Sequence, residues 1–122
     1  MNTAVYINCR RVPFIDRILS GLKTDETRSR DMLRRLVGQR VYLAETGTGP
    51  VPMVRASAVI ASARVVSFSD IAARQAACIA GTPYDIKPDG TKVFYRLTDV
   101  QPVATFPVPA CRINHGRSYT EF

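Results

Sequence analysis

Residues 53–67 read Met-Val-Arg-Ala-Ser-Ala-Val-Ile-Ala-Ser-Ala-Arg-Val-Val-Ser. A stretch so rich in Val, Ala and Ser predicts one bent strand or two, with small residues where the chain curves. Small side chains also let another backbone or a flat ligand come close. Lys92–Val100 (Lys-Val-Phe-Tyr-Arg-Leu-Thr-Asp-Val) is β-branched and aromatic throughout and predicts a second strand. A further extended piece, Val103–Val108, is confined to a sheet edge by Pro102, Pro107 and Pro109, because proline cannot donate to a ladder. The second half of the chain is therefore mostly sheet.

The first half alternates. Thr3–Cys9 is β-prone. Pro13 suits the opening turn of a helix, and Phe14, Ile15, Ile18, Leu19 and Leu22 then recur at helical spacing until Gly21 can end the helix in a left-handed conformation. A polar stretch, Gly21–Arg30, follows directly, so a packed helix end aims its backbone. Asp31–Val37 predicts a second short amphipathic helix, capped by Ser29 or Asp31 and stopped by Gly38, with Arg34 and Arg35 extending the positive patch begun by Arg28 and Arg30. Arg40–Thr46 reads as a strand, and Gly47-Thr48-Gly49-Pro50 as a plain turn, since no βαβ context supports a phosphate cradle. Ser69–Ala80 predicts a helix lined on one side by Ile71, Gln75, Cys78 and Ile79, with Ser67 and Asp70 as a capping box, Gly81-Thr82-Pro83 as its end, and Cys78 in the core. Asp85–Gly90 is turn-rich. This order predicts an α+β domain built on a small mixed or antiparallel β-barrel flanked by short helices.

Composition narrows the function classes. The 122 residues, 46% hydrophobic and 22% charged, make one globular domain, 1–122, with a flexible polar tail over about 112–122. Arg55 and Arg64 interrupt the longest apolar candidate, so no membrane span is predicted. Met1–Arg11 lacks a hydrophobic core followed by small residues, so no signal peptide is read and the cytoplasm is the expected location. Three cysteines at wide spacing (Cys9, Cys78, Cys111) argue against a disulfide framework. Cys111 and His115 are the only close thiol and imidazole, and no second pair completes a zinc site, so neither metal nor cofactor is expected. The net charge is +7, and residues 1–40 hold nine Lys/Arg against four Asp/Glu. Such a block favours a polyanionic partner, nucleic acid first among them.

Within the polar stretch, Gly21-x-Lys23-x-x-Glu26-x-Arg28 resembles the Gly-x-Lys-x-x-Glu-x-Arg signature of the ASCH domain family, a branch of the PUA-like superfamily. The surroundings resemble it too: a first helix before the motif, a short helix ending in glycine after it, then a strand such as Val41–Ala44. The resemblance covers nearly the whole chain and implies a β-barrel with a cleft at its mouth, lined by Lys23, Glu26 and Arg28. It also implies binding of RNA or of a nucleoside- or nucleotide-like ligand there; the charge pattern adds neighbouring Arg30, and Arg117 in the tail is a further candidate to reach the cleft. The residues support that chemistry: ammonium and guanidinium groups engage phosphate or carboxylate oxygens, Arg in bidentate fashion, while Glu26 accepts from a base or ribose donor or holds Arg28 in place. The competing reading is a structural ion pair between Glu26 and Arg28.

Some proteins of similar fold are amidohydrolases that remove the acetyl group from the exocyclic amine of acetylated cytidine. The resemblance implies that Lys23 would there assist a threonine nucleophile three residues on, with a glutamate elsewhere. Position 26 is Glu instead, and Ile71–Ala80 contains no carboxylate, so Thr24 or Thr27 would have to substitute. A weak ribonuclease is a further alternative, drawing on Lys23, Tyr42, Ser29 and Ser118. His115 is a potential acid or base near neutral pH, though a lone tail histidine more often caps or solvates. Tyr42 and Tyr95 are expected as wall residues rather than stacking platforms. A protein-interaction module would need an exposed apolar patch, and the sequence marks none.

Overall fold

The computed structural model describes residues 1–109, 113–116 and 118–122; the backbone alone is described at 113 and 114. Along the chain run β1 (Thr3–Asn8), α1 (Phe14–Leu19), β2 (Asp25–Arg28), a single 3₁₀ turn (Arg34–Leu36), β3 (Arg40–Thr46), β4 (Met53–Ser67), α2 (Ile71–Ala76), β5 (Thr91–Pro107), β6 (Ile113–His115) and β7 (Tyr119–Glu121). Among the described residues the strands form one mixed sheet in the order β2-β5-β4-β3-β1-β7-β6. Its β1–β3 pairing is parallel and the others are antiparallel.

β4 is one continuous strand whose pairing with β5 shifts register between Val54 and Ala56, Ser57 and Val59, and Ile60 and Ser62. Each shift bends the ribbon and increases its twist, and Ala56, Ser57 and Ala58 leave room for the bend. β5 also runs unbroken from the predicted strand into the proline-bearing piece. Beyond Leu97 it pairs only with β4, so Pro102 and Pro107 face no second ladder.

The bending brings distant strands together. β2 and β1 lie four positions apart in the sheet, about 19 Å if it were flat, yet Arg28 Nη2 donates to the Tyr6 carbonyl at 2.7 Å. No arginine side chain spans a flat sheet of that width. The sheet is therefore curled into a barrel-like wall, with β2 and β6 left as its pairing ends and β2 tied to β1 by a side chain.

Period-two alternation divides the strands between two faces. Val5, Ile7, Val41, Leu43, Ala58 and Ile60 join Phe14, Ile15 and Ile18 of α1, together with Leu33 and Leu36, in the main core. Ala4, Ala44 and Val54 form a smaller cluster on the other face, edged by the half-buried rings of Tyr6, Tyr42, Phe106 and Phe122.

Three local expectations are corrected. The helix predicted over Asp31–Val37 is one 3₁₀ turn, and neither Ser29 nor Asp31 caps it. The buried Tyr95 hydroxyl donates to Asp31 Oδ1 at 2.7 Å and accepts from Leu33 N at 3.1 Å, taking the groups that a helix start would use. Arg34 also binds the Asp31 carboxylate. The helix predicted over Ser69–Ala80 spans only Ile71–Ala76, capped by Asp70, whose carboxylate accepts from Ala73 N at 3.0 Å; Ser67 instead pairs its hydroxyl with Ser69. Ile71 is exposed, and Cys78, at φ +58°, is half-buried where the chain turns away. Finally, where a loose tail is predicted, β7 pairs with β1 and β6 with β7, and Tyr119 and Thr120 are buried. No helix among the described residues is long and apolar enough to cross a membrane.

Candidate functional site

The polar stretch is built on α1 and α2. Gly21, at φ +83°, ends α1 and turns the chain so that Lys23 N bonds the Arg17 carbonyl at 3.0 Å. Leu22, read as part of the helix face, lies past that end and is exposed. The chain then runs along the C-terminal end of α2. Thr24 N takes the Ala76 carbonyl at 2.9 Å and Lys23 Nζ the Ala77 carbonyl at 2.5 Å. Helix-end carbonyls need partners and favour a cation, which fixes an ammonium here.

β2 follows, and alternation sends its side chains to opposite faces. Asp25 pairs with Arg96 at 2.8 Å and Arg64 at 3.5 Å, and accepts from Thr24 Oγ1 at 2.8 Å. Glu26 and Arg28 share the other face. Glu26 Oε1 lies 3.4 Å from Lys23 Nζ and accepts from Thr27 N at 3.0 Å, while Oε2 meets Arg28 Nη1 at 2.7 Å. Arg28 also donates to the Thr27 carbonyl at 2.8 Å. The result is a cation–anion–cation relay from the end of α2 to β1. Burial pushes the Glu26 carboxyl up, but the Arg28 and Lys23 charges outweigh it and hold it below the ordinary glutamate value. Burial lowers Lys23 despite the Glu26 charge that opposes it.

A hollow of about 510 Å³ opens over this relay. Glu26, Thr27, Arg28 and Ser29 form one side, Tyr6 and Asn8 another, and Phe14, Tyr84 and Lys92 close it. Phe14 and Tyr84 pack edge to face with centroids 5.5 Å apart, and the Lys23 ammonium lies 4.5 Å from the Phe14 ring centre. Lys92 Nζ donates to the Tyr84 carbonyl at 2.5 Å, and partial burial lowers its pKa.

Of the residues singled out in the sequence, Glu26 and Arg28 meet at the hollow. Lys23 lies against Phe14 and Glu26, two residues that line the hollow, but it is only 1% exposed and does not itself line it. Thr27 lines the hollow, whereas Thr24 is turned to Asp25 and the Ala76 carbonyl. Arg30 is exposed outside it, and Arg117 lies outside the described residues, as does Cys111. Ser29 lines the hollow, Ser118 is buried, and Tyr42 lies beside a different hollow, so the ribonuclease candidates are dispersed. His115 Nε2 pairs with Glu121 at 3.1 Å and its ring stacks on Tyr119. Among the described residues no group of three or more His, Cys, Asp or Glu converges as a metal site would require. Tyr6, Phe14, Tyr84 and Lys92 escaped the sequence reading. Phe14 carries the signal of an ordinary core residue, and the other three sit on separate elements with no shared spacing.

The sequence matches no protein-family model and no curated protein. Among solved structures, the chain is similar to the crystal structure of ASCH from Zymomonas mobilis, with a TM-score of 0.60 at 21% identity over 88% of this chain and 72% of that one. It is likewise similar to the S128A mutant of the same protein, with a TM-score of 0.58, 21% identity and the same coverage. At that identity the likeness is one of architecture: the chain has the α+β, PUA-like fold of the ASCH proteins.

Proposed function

We propose that this protein acts as an ASCH domain that binds a nucleoside or nucleotide unit in the hollow, either free or as part of an RNA strand. The observation that carries the reading is the Glu26–Arg28 pair, pinned by Lys23 and the Tyr6 carbonyl, facing an aromatic-walled space. Its volume suits a small ligand. Glu26 and Arg28 are held in place before a ligand arrives, so little ordering cost falls on binding. The Glu26 carboxylate has about four acceptor positions, of which Lys23, Arg28 and Thr27 N occupy three. The remaining one suits an exocyclic amine or imino N–H. Arg28 and Lys92 supply donors for phosphate or carbonyl oxygens, and the rings supply a flat apolar wall. A base stacked on such a wall gains about 1–3 kcal/mol.

Calorimetric titration with the four ribonucleosides and their 5′-monophosphates tests this. Tyr84→Ala is expected to weaken both ligand sets about tenfold, corresponding to the lower half of that stacking range. Lys92→Ala is expected to weaken the monophosphates and leave the nucleosides nearly unchanged. Absence of saturable binding at millimolar ligand, or binding indifferent to both substitutions, defeats the proposal.

A further inference from the structure

A second hollow, of about 390 Å³, shares no lining residue with the first. Tyr42 and Val103, two members of the smaller apolar cluster, wall it, and Thr3, Gln39, Arg40 and Ser57 bring polar groups. The Tyr42 ring is held in place by Phe122, stacked with centroids 6.1 Å apart, and by Phe106, edge-on at 5.4 Å. Among the described residues Arg40 is the one cationic side chain that lines this hollow, and no Asp or Glu does. Its volume falls within the range of small-ligand sites.

The Arg40 side chain is 39% exposed, yet it is not loose. Its Nη1 donates to Ser57 Oγ at 2.9 Å, and Ser57 is itself only 7% exposed. Its Nη2 donates to the Asp99 carbonyl at 3.1 Å and pairs with the Asp99 carboxylate. Asp99 sits at φ +48°, an uncommon turn for a non-glycine residue that delivers both of its acceptors to one guanidinium. A guanidinium carries five N–H donors, so these contacts leave Nε–H and one Nη1–H for an incoming acceptor. A cation fixed before the ligand arrives loses little freedom on binding. Asp99 already sets one negative charge against it, so the site suits a singly charged anion better than a dianion.

We infer that this hollow is a second ligand site, one that takes a small monocarboxylate with a flat apolar body. The carboxylate meets the open donors of Arg40, with the hydroxyls of Ser57 and Thr3 in the same lining, and the body lies against Tyr42 and Val103. A neutral ring would fill the apolar wall but displace water from the Arg40 donors without replacing it, which costs free energy. A phosphate would bring a second charge beside Asp99 and nothing for the wall. Charge-assisted hydrogen bonds to guanidinium together with ring contact favour the aromatic carboxylate over both. The site is independent of the nucleotide site over Glu26 and Arg28 and stands or falls without it.

The test is an NMR titration of the isotopically labelled full chain with benzoate, its neutral isostere benzamide, acetate and inorganic phosphate. Benzoate is expected to shift the amide signals of Arg40, Tyr42 and Ser57 and to leave those of Glu26 and Arg28 in place. It should bind about tenfold tighter than benzamide, the effect of one charge-assisted contact, and about tenfold tighter than acetate, which lacks the ring. Phosphate should do no better than acetate. Arg40→Gln should bring benzoate down to the level of benzamide. Asp99→Asn keeps a residue that tolerates positive φ and removes the competing charge, so it should strengthen benzoate binding and leave benzamide unchanged. If Arg40→Gln fails to fold, Asp99→Asn decides. Equal affinity for benzoate and benzamide, weaker benzoate binding in Asp99→Asn, or shifts confined to the first hollow would each overturn the assignment.

Discussion

The ammonium of Lys23 and the carboxylate of Glu26 are both nearly out of contact with water, with side-chain exposures of 0% and 8%. Neither is comfortable there alone. Breaking a buried pair by removing one partner typically costs about 3–5 kcal/mol, because the other charge stays buried. Lys23→Met keeps the stem over Phe14 but strips the charge from Glu26 and the donor from the Ala77 carbonyl, so chemical denaturation should show a loss of that order. The pH dependence supplies the sign. The Glu26 carboxyl is held below its ordinary value in the folded protein, so its contribution is present above the unfolded pKa and is lost as pH falls. Without Lys23 that lowering shrinks, and the acid unfolding transition of Lys23→Met should begin at a higher pH than wild type. An acid transition that stays in place would mean that Arg28 alone sets the Glu26 charge.

At the scale of elements, the turn from β3 to β4 does more than reverse the chain. Gly47 sits at φ +83°, and a Cβ there would lie 2.7 Å from Asn8 Oδ1 and 2.9 Å from Arg10 Cβ. Asn8 cannot swing freely, because its Oδ1 accepts from Arg10 N at 2.9 Å and it lines the hollow. Gly47→Ala should cost about 1–3 kcal/mol in a thermal or urea melt and weaken nucleotide binding by displacing Asn8. Gly38→Ala, also at positive φ but with open space around it, should destabilise without touching binding. The strands were legible in the sequence because Thr3–Cys9, Arg40–Thr46 and Lys92–Val100 carry their own β-prone chemistry. The short helices were not legible at their ends. Tyr95, remote in sequence, captures Asp31 and Leu33, and Cys78 turns α2 away early. The motif revealed Glu26 and Arg28 because alternation along one strand puts them on one face. It could not show that Lys23 serves the end of α2, a contact across 54 positions, or that rings from β1, α1 and the loop before β5 complete the wall.

For the molecule as a whole, the charge excess and the curled sheet bear on the same question, namely which cations meet a bound strand. A single strand bound through Z phosphates gives a slope of about −0.7Z in log affinity against log salt. If the ligand of the hollow is a strand of about four nucleotides, at the low end of single-domain site sizes, it presents roughly three phosphates and the slope is expected near −2. Position in the structure determines which substitution changes it. Arg30 is exposed and lies one residue beyond Ser29 at the hollow's edge, so Arg30→Ala should flatten the slope by about 0.7, one phosphate's worth. Lys23 carries the same charge and lies in the same sequence motif, but it is buried against Glu26 and the Ala77 carbonyl. Lys23→Met should therefore weaken folding and leave the slope of the folded fraction unchanged. Fluorescence anisotropy of a labelled hexaribonucleotide between low and physiological salt separates these cases. A flat response in the wild-type protein would leave only an uncharged small ligand for the hollow. Equal flattening by both substitutions would mean that the relay opens to the strand and that Lys23 reaches a phosphate after all.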